Sequence, residues 1–163
     1  MKEERSVFMT EEKTKTGKEQ HLAVRLVVYF IGLFIMTLGI SMSVKSNLGV
    51  SPVSSIPYTI TCIFGLEMGK ATIVFHVFLV ILQILILRKD FKWKNLLQVV
   101  VGVVFGYFTT FSNHLFRYLP APPNMAIRLL MMVGSTILIA TGIFFYLPAD
   151  IIPLAGEGAM KAI

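Results

Sequence analysis

Polar and apolar positions along this chain fall into long blocks. Uncharged, mostly apolar runs cover 26–44, 71–87, 95–116 and 129–149. Each is near the roughly 20 residues a helix needs to cross about 30 Å of hydrocarbon. The pattern predicts an all-α, polytopic transmembrane bundle with four spanning helices.

A fifth uncharged stretch, SNLGVSPVSSIPYTITCIFG (46–65), lies between Lys45 and Glu67 and carries two prolines, two glycines and a cluster of hydroxyls. Ser51 before Pro52 is a good helix start, and Gly65 can end the helix. The helix between them has about 13 residues and spans about 20 Å, too short to cross. Backbone at membrane depth that is not continuous helix is tolerated only where protein buries it or water lines it. The stretch is therefore read as re-entrant or broken, its serines facing a polar cavity. An interfacial helix lying flat, with Tyr58 as anchor, and a full crossing are the alternatives.

Charge sets the orientation. The densest basic clusters are the N-terminal segment and RKDFKWK (88–94), whereas RYLPAPPNMAIR (117–128) carries only Arg117 and Arg128. Positive residues favour the cytoplasmic side, so the N-terminus and 88–94 are expected inside. Two crossings then separate them, which leaves none for 46–65. Residues 1–22, rich in Glu and Lys, cannot bury a core and are expected to form a disordered cytoplasmic tail.

Composition agrees: of 163 residues, 55% are hydrophobic and only 15% charged, with mean hydropathy +0.75. The net charge of +6 flanks hydrophobic runs and forms no patch with interleaved aromatics, so no nucleic-acid partner is expected. A single cysteine, Cys62, excludes an internal disulfide. His21, His76 and His114 lack ligand spacing, so neither metal nor cofactor is expected. No phosphate loop, HExxH or GxSxG occurs, and the chain is predicted not to be an enzyme.

The chain hints at a repeat. Arg25-Leu26 and Arg128-Leu129 open the first and fourth runs at a shift of 128 − 25 = 103, which also superposes Gly39-Ile40 on Gly142-Ile143 and Asn47 on Asp150. Three crossings apart, the copies would run in opposite senses, an arrangement common in secondary transporters. The reading divides the chain into a first membrane repeat (23–118) and the start of a second (119–163). PADIIPLAGEGAMKAI (148–163) stands in the place of the first polar stretch, so the second repeat is expected to be incomplete here.

The run RLVVYFIGLFIMTLGISMSVKSNLGVSPVSSIPYTIT, with its LGVSP element, then Gly65 and Gly69, and Leu82-Gln83 before the basic turn, resembles the opening half of the YczE/YyaS/YitT family of bacterial integral membrane proteins. The resemblance implies a multi-pass protein of the bacterial plasma membrane and names no substrate.

Asp150 and Glu157 are the acids nearest membrane depth. Seven residues apart, they would share a face of continuous helix and could bind a cation or carry a proton; the alternative is an interfacial acid pairing Glu157 with Lys161. Together with Asn47, Ser51, Ser54 and Ser55 they form the candidate site for a small polar or ionic solute. His76 and His114 are weaker candidates for proton relay, more simply read as hydrogen-bonded residues. Gln83 and Gln98 read as interhelical hydrogen bonds, and Gly102 and Gly106 as a helix-packing face. Two functions follow: a small-solute transporter, or a scaffold or regulatory subunit that docks a membrane partner, or a further copy of itself, through its glycine faces.

Overall fold

The computed structural model describes the backbone of residues 2–88, 93–149 and 151–162, and the side chains of 23–88, 95–148 and 151–160. The described residues form six α-helices: α1 (Lys2–Ser46), α2 (Pro52–Phe64), α3 (Met68–Leu87), α4 (Leu97–Arg117), α5 (Met125–Tyr146) and α6 (Ala155–Ala162). Short 3₁₀ turns at Trp93–Leu96 and Leu147–Ala149 precede α4 and follow α5. Four segments have the length and apolar character of membrane spans: Ala23–Ser46, Met68–Leu87, Leu97–Arg117 and Met125–Tyr146. The protein is thus all-helical with four candidate spans.

The backbone of α1 is helical from Lys2, ahead of its span. Glu and Lys are good helix formers, and a helix can extend from the span through such composition without a core of its own.

Close backbone contact holds the spans together. α1 and α5 run antiparallel, and a β-carbon at Gly32 would lie 2.9 Å from the Gly142 carbonyl oxygen, one at Gly39 2.9 Å from that of Ser135. Small residues permit this approach where lipid supplies no hydrophobic drive between helices. α3 and α4 are likewise antiparallel: His76 packs over Gly102, where a β-carbon would lie 2.8 Å from its own, and a β-carbon at Gly106 would meet the Gly69 carbonyl at 2.8 Å. The Gly102/Gly106 face is therefore occupied within the chain. Gly65 ends α2, and Gly69 lies inside α3 and packs on α4. α4 runs parallel to α1, with Phe34 edge-on to Phe108 at 5.4 Å and the Thr37 and Ser112 hydroxyls 3.1 Å apart.

These directions place the start of α1, the α3–α4 connection and the end of α5 at one end of the bundle, here the tail end. The end of α1, the start of α3 and the α4–α5 loop share the far end. α2 links two elements at the far end and so leaves and re-enters the same side. Its 13 residues begin at Ser51, whose hydroxyl caps the Ser54 amide, and end at Gly65 in a left-handed conformation (φ 65°). Pro57 sits inside without breaking the helix, but it has no N–H for the Val53 carbonyl.

Candidate functional site

Where α5 ends, the chain turns through 151–154 and starts α6 inside the bundle, with Leu154 and Ala155 buried. Two tyrosines hold this turn. Tyr29 of α1 donates to the Ile152 carbonyl at 2.8 Å. Tyr146 of α5 accepts the Leu154 amide at 2.6 Å and donates to Glu157 Oε2 at 2.9 Å. Their rings pack at 5.2 Å. A buried phenol requires a partner for its hydroxyl, and here both are spent fixing one turn. Between them opens a cavity of about 460 Å³, lined by Tyr29, Tyr146, Ile151, Ile152, Glu157 and Met160 among others. Among the described residues it presents one carboxylate, Glu157, beside largely apolar walls.

Beneath α6 lies a buried amide pair. Gln83 Nε2 donates to Gln98 Oε1 and to the Ala155 carbonyl, both at 3.0 Å. Gln83 is 1% exposed, and its Oε1 has no partner among the described residues. Gly158 rests directly on this pair: a β-carbon there would lie 2.7 Å from both Gln98 amide heavy atoms.

The sequence candidates separate on the fold. Ser51 donates to the Ser54 hydroxyl at 3.0 Å, and Ser54 is buried. The first turn of α2 meets that of α6, where a β-carbon at Gly156 would touch Val53 Cγ1 at 3.9 Å. Asn47 is exposed at the far end in a left-handed turn (φ 55°). Ser55 turns back onto its own helix, donating to the Pro52 carbonyl at 2.6 Å. Asp150 lies outside the described residues, as does the Lys161 side chain. The backbone is not helical at 151–154, so no continuous helix puts Asp150 and Glu157 on a shared face. Pro148 lies in the turn before that break and Pro153 within it.

His76 is buried, with Nδ1 2.8 Å from the Thr72 carbonyl of its own helix. His114 is exposed and pairs with the Tyr118 hydroxyl at 3.0 Å. Neither reaches the cavity. No group of three metal-ligating side chains gathers among the described residues. Tyr29 and Tyr146 were not legible as site residues, because a tyrosine near the end of an apolar run reads equally well as an interfacial anchor.

Four antiparallel-paired spans and a short helix that returns to its own side define a polytopic α-helical membrane protein. The profile of the family of unknown function DUF6198 matches residues 23–163, so the chain belongs to that family. It is 28% identical over 134 residues to the uncharacterized membrane protein YczE of Bacillus subtilis (strain 168). The aligned stretch takes in 82% of this chain and 60% of that relative, so the chain spans about three fifths of the relative's length. No solved structure matches. The resemblance to YczE carried by the sequence motifs therefore stands.

Proposed function

We propose that the protein is a non-enzymatic, small-solute transporter of the bacterial plasma membrane, with its N-terminus cytoplasmic, and that its solute carries a cationic group on an apolar body. One observation carries the reading: among the described residues the cavity at the tail end holds one carboxylate, Glu157, oriented by Tyr146 beside largely apolar walls. A carboxylate is costly at membrane depth unless something compensates it. A positively charged solute or a proton supplies that compensation, and the apolar lining suits the remainder of the solute. Discontinuous backbone beside such a cavity is typical of secondary transporters. The scaffold alternative relied on Gly102 and Gly106 as docking faces, and α3 covers both.

The test is uptake in proteoliposomes, using a panel of small ammonium and guanidinium compounds with neutral polyols as controls. Uptake of one or more cations that is lost in Glu157→Gln, with the helical content unchanged, supports the reading. Overturning it requires only that no cation is taken up, or that Glu157→Gln leaves uptake as it was.

A further inference from the structure

The contacts between α1 and α5 obey an exchange rule that the sparse sequence identity does not reveal. If one unit is repeated 103 residues later and the two copies are related by a two-fold axis, residue i of the first touching residue j of the second requires that j − 103 touch i + 103. Gly32 against Gly142 demands Gly39 against Ser135 (142 − 103 and 32 + 103), and both contacts are present. Met36 against Gly142 demands Gly39 against Ile139, and both are present. The Tyr29–Tyr146 ring contact demands Ser43 against Met132, and the Ser43 hydroxyl lies 3.6 Å from Met132 Sδ. A residue must meet its own copy only on the axis, and Val53 meets Gly156, 156 − 53 = 103 positions on.

Element boundaries follow the same shift. α1 ends at Ser46 and the 3₁₀ turn after α5 at Ala149 (149 − 46 = 103); α2 starts at Pro52 and α6 at Ala155 (155 − 52 = 103). In each turn the equivalent carbonyl accepts a hydroxyl at 2.8 Å (152 − 49 = 103), Gly49 from Ser43 of its own unit and Ile152 from Tyr29 of the other, so the acceptors correspond and the donors do not. Since α1 and α5 are antiparallel, the axis lies across the helices, in the plane of a membrane they span.

We infer that α1–α2 and α5–α6 are two copies of one re-entrant unit related by a dyad through Val53 and Gly156, and that the Glu157 cavity has a matching vestibule at the opposite face built from Ser43, Leu48, Gly49, Ser54 and Met132. These five are the shifted equivalents of Tyr146, Ile151, Ile152, Glu157 and Tyr29. The two vestibules differ in chemistry: Ser54 stands where Glu157 stands, so the tail-end vestibule holds a cation by charge and the five residues of the far-end one offer only neutral groups. That both belong to one solute path rests on the transport reading; the dyad and its opposed vestibules do not.

Sidedness tests the geometry without any solute. In a Cys62→Ala background, Leu48→Cys and Ile151→Cys are each treated with a membrane-impermeant thiol reagent in right-side-out and inside-out vesicles. A second equivalent pair, Val44→Cys and Leu147→Cys, guards against a variant that fails to insert. Each member of a pair is expected to react from one side only, the two from opposite sides. A Val53→Cys/Gly156→Cys double variant is expected to form an intramolecular disulfide on mild oxidation. Labelling of both members of a pair from the same side, labelling of the far-end member from neither side, or absence of the disulfide overturns the inference. Opposed labelling without cation uptake would overturn the transport reading and leave the dyad standing.

Discussion

Tyr146 donates its hydroxyl to Glu157 at 2.9 Å and through the same oxygen accepts the Leu154 amide at 2.6 Å. One phenol thus orients the cavity's carboxylate and closes the turn that leads into α6. Replacing it by Phe removes both bonds and leaves a buried amide unpaired, a loss of about 1–3 kcal/mol. Tyr29→Phe withdraws only the donor to the Ile152 carbonyl and is expected to cost about 1 kcal/mol. Thermal unfolding in detergent ranks the two variants; equal losses would mean that the Glu157 and Leu154 bonds are not both significant.

The α1–α5 seam gives a graded pair. A β-carbon at Gly142 would lie 2.7 Å from the Gly32 carbonyl oxygen, which is backbone and cannot move aside. Gly142→Ala should destabilise the fold by about 1–3 kcal/mol, the usual cost of overpacking. At Gly134 the nearest atom is the flexible Met42 Cε, at 2.8 Å, so Gly134→Ala should cost under about 1 kcal/mol. Unfolding midpoints of the two variants, measured in one detergent, check the order.

The buried amides predict non-additivity. Gln83→Leu or Gln98→Leu alone leaves the other amide short of a partner, whereas the double variant removes both. A double-mutant cycle should give a favourable coupling of about 0.6 kcal/mol or more. A coupling of zero would mean that the bond between them adds nothing to stability.

The ends of α2 should be separable by the type of substitution. Ser51→Ala removes the hydroxyl that caps the Ser54 amide and should cost about 1 kcal/mol. Gly65→Ala forces a β-carbon into the left-handed region at φ 65° and should cost about 1–2 kcal/mol. Because α2 packs on α3 and not at the α1–α5 seam, both losses should add to that of Gly142→Ala within about 0.5 kcal/mol.

The sequence by itself determined the elements that depend on composition and local stereochemistry. Long uncharged runs can hide their backbone in lipid only as helices, so four spans were legible. The start and end of α2 were legible too, since Ser51, Pro52 and Gly65 act on the backbone beside them. That Gln83 and Gln98 would each bond between helices was legible because a buried amide in a span has few other options; that they bond to each other was not. What only the tertiary structure decided was which side chains meet. Tyr29 and Ile152 lie 123 positions apart, and nothing in either local sequence specifies the encounter. Ser55 and Ser54 are neighbours of one residue type, yet the rotation of α2 turns one back onto the Pro52 carbonyl of its own helix and buries the other. Asp150 and Glu157 share a face only if the chain between them is helical, and the backbone there is not. Local chemistry fixes where a helix starts and stops; the site arises from the rotation and crossing of helices, which are set by small residues on opposing faces acting across the whole bundle.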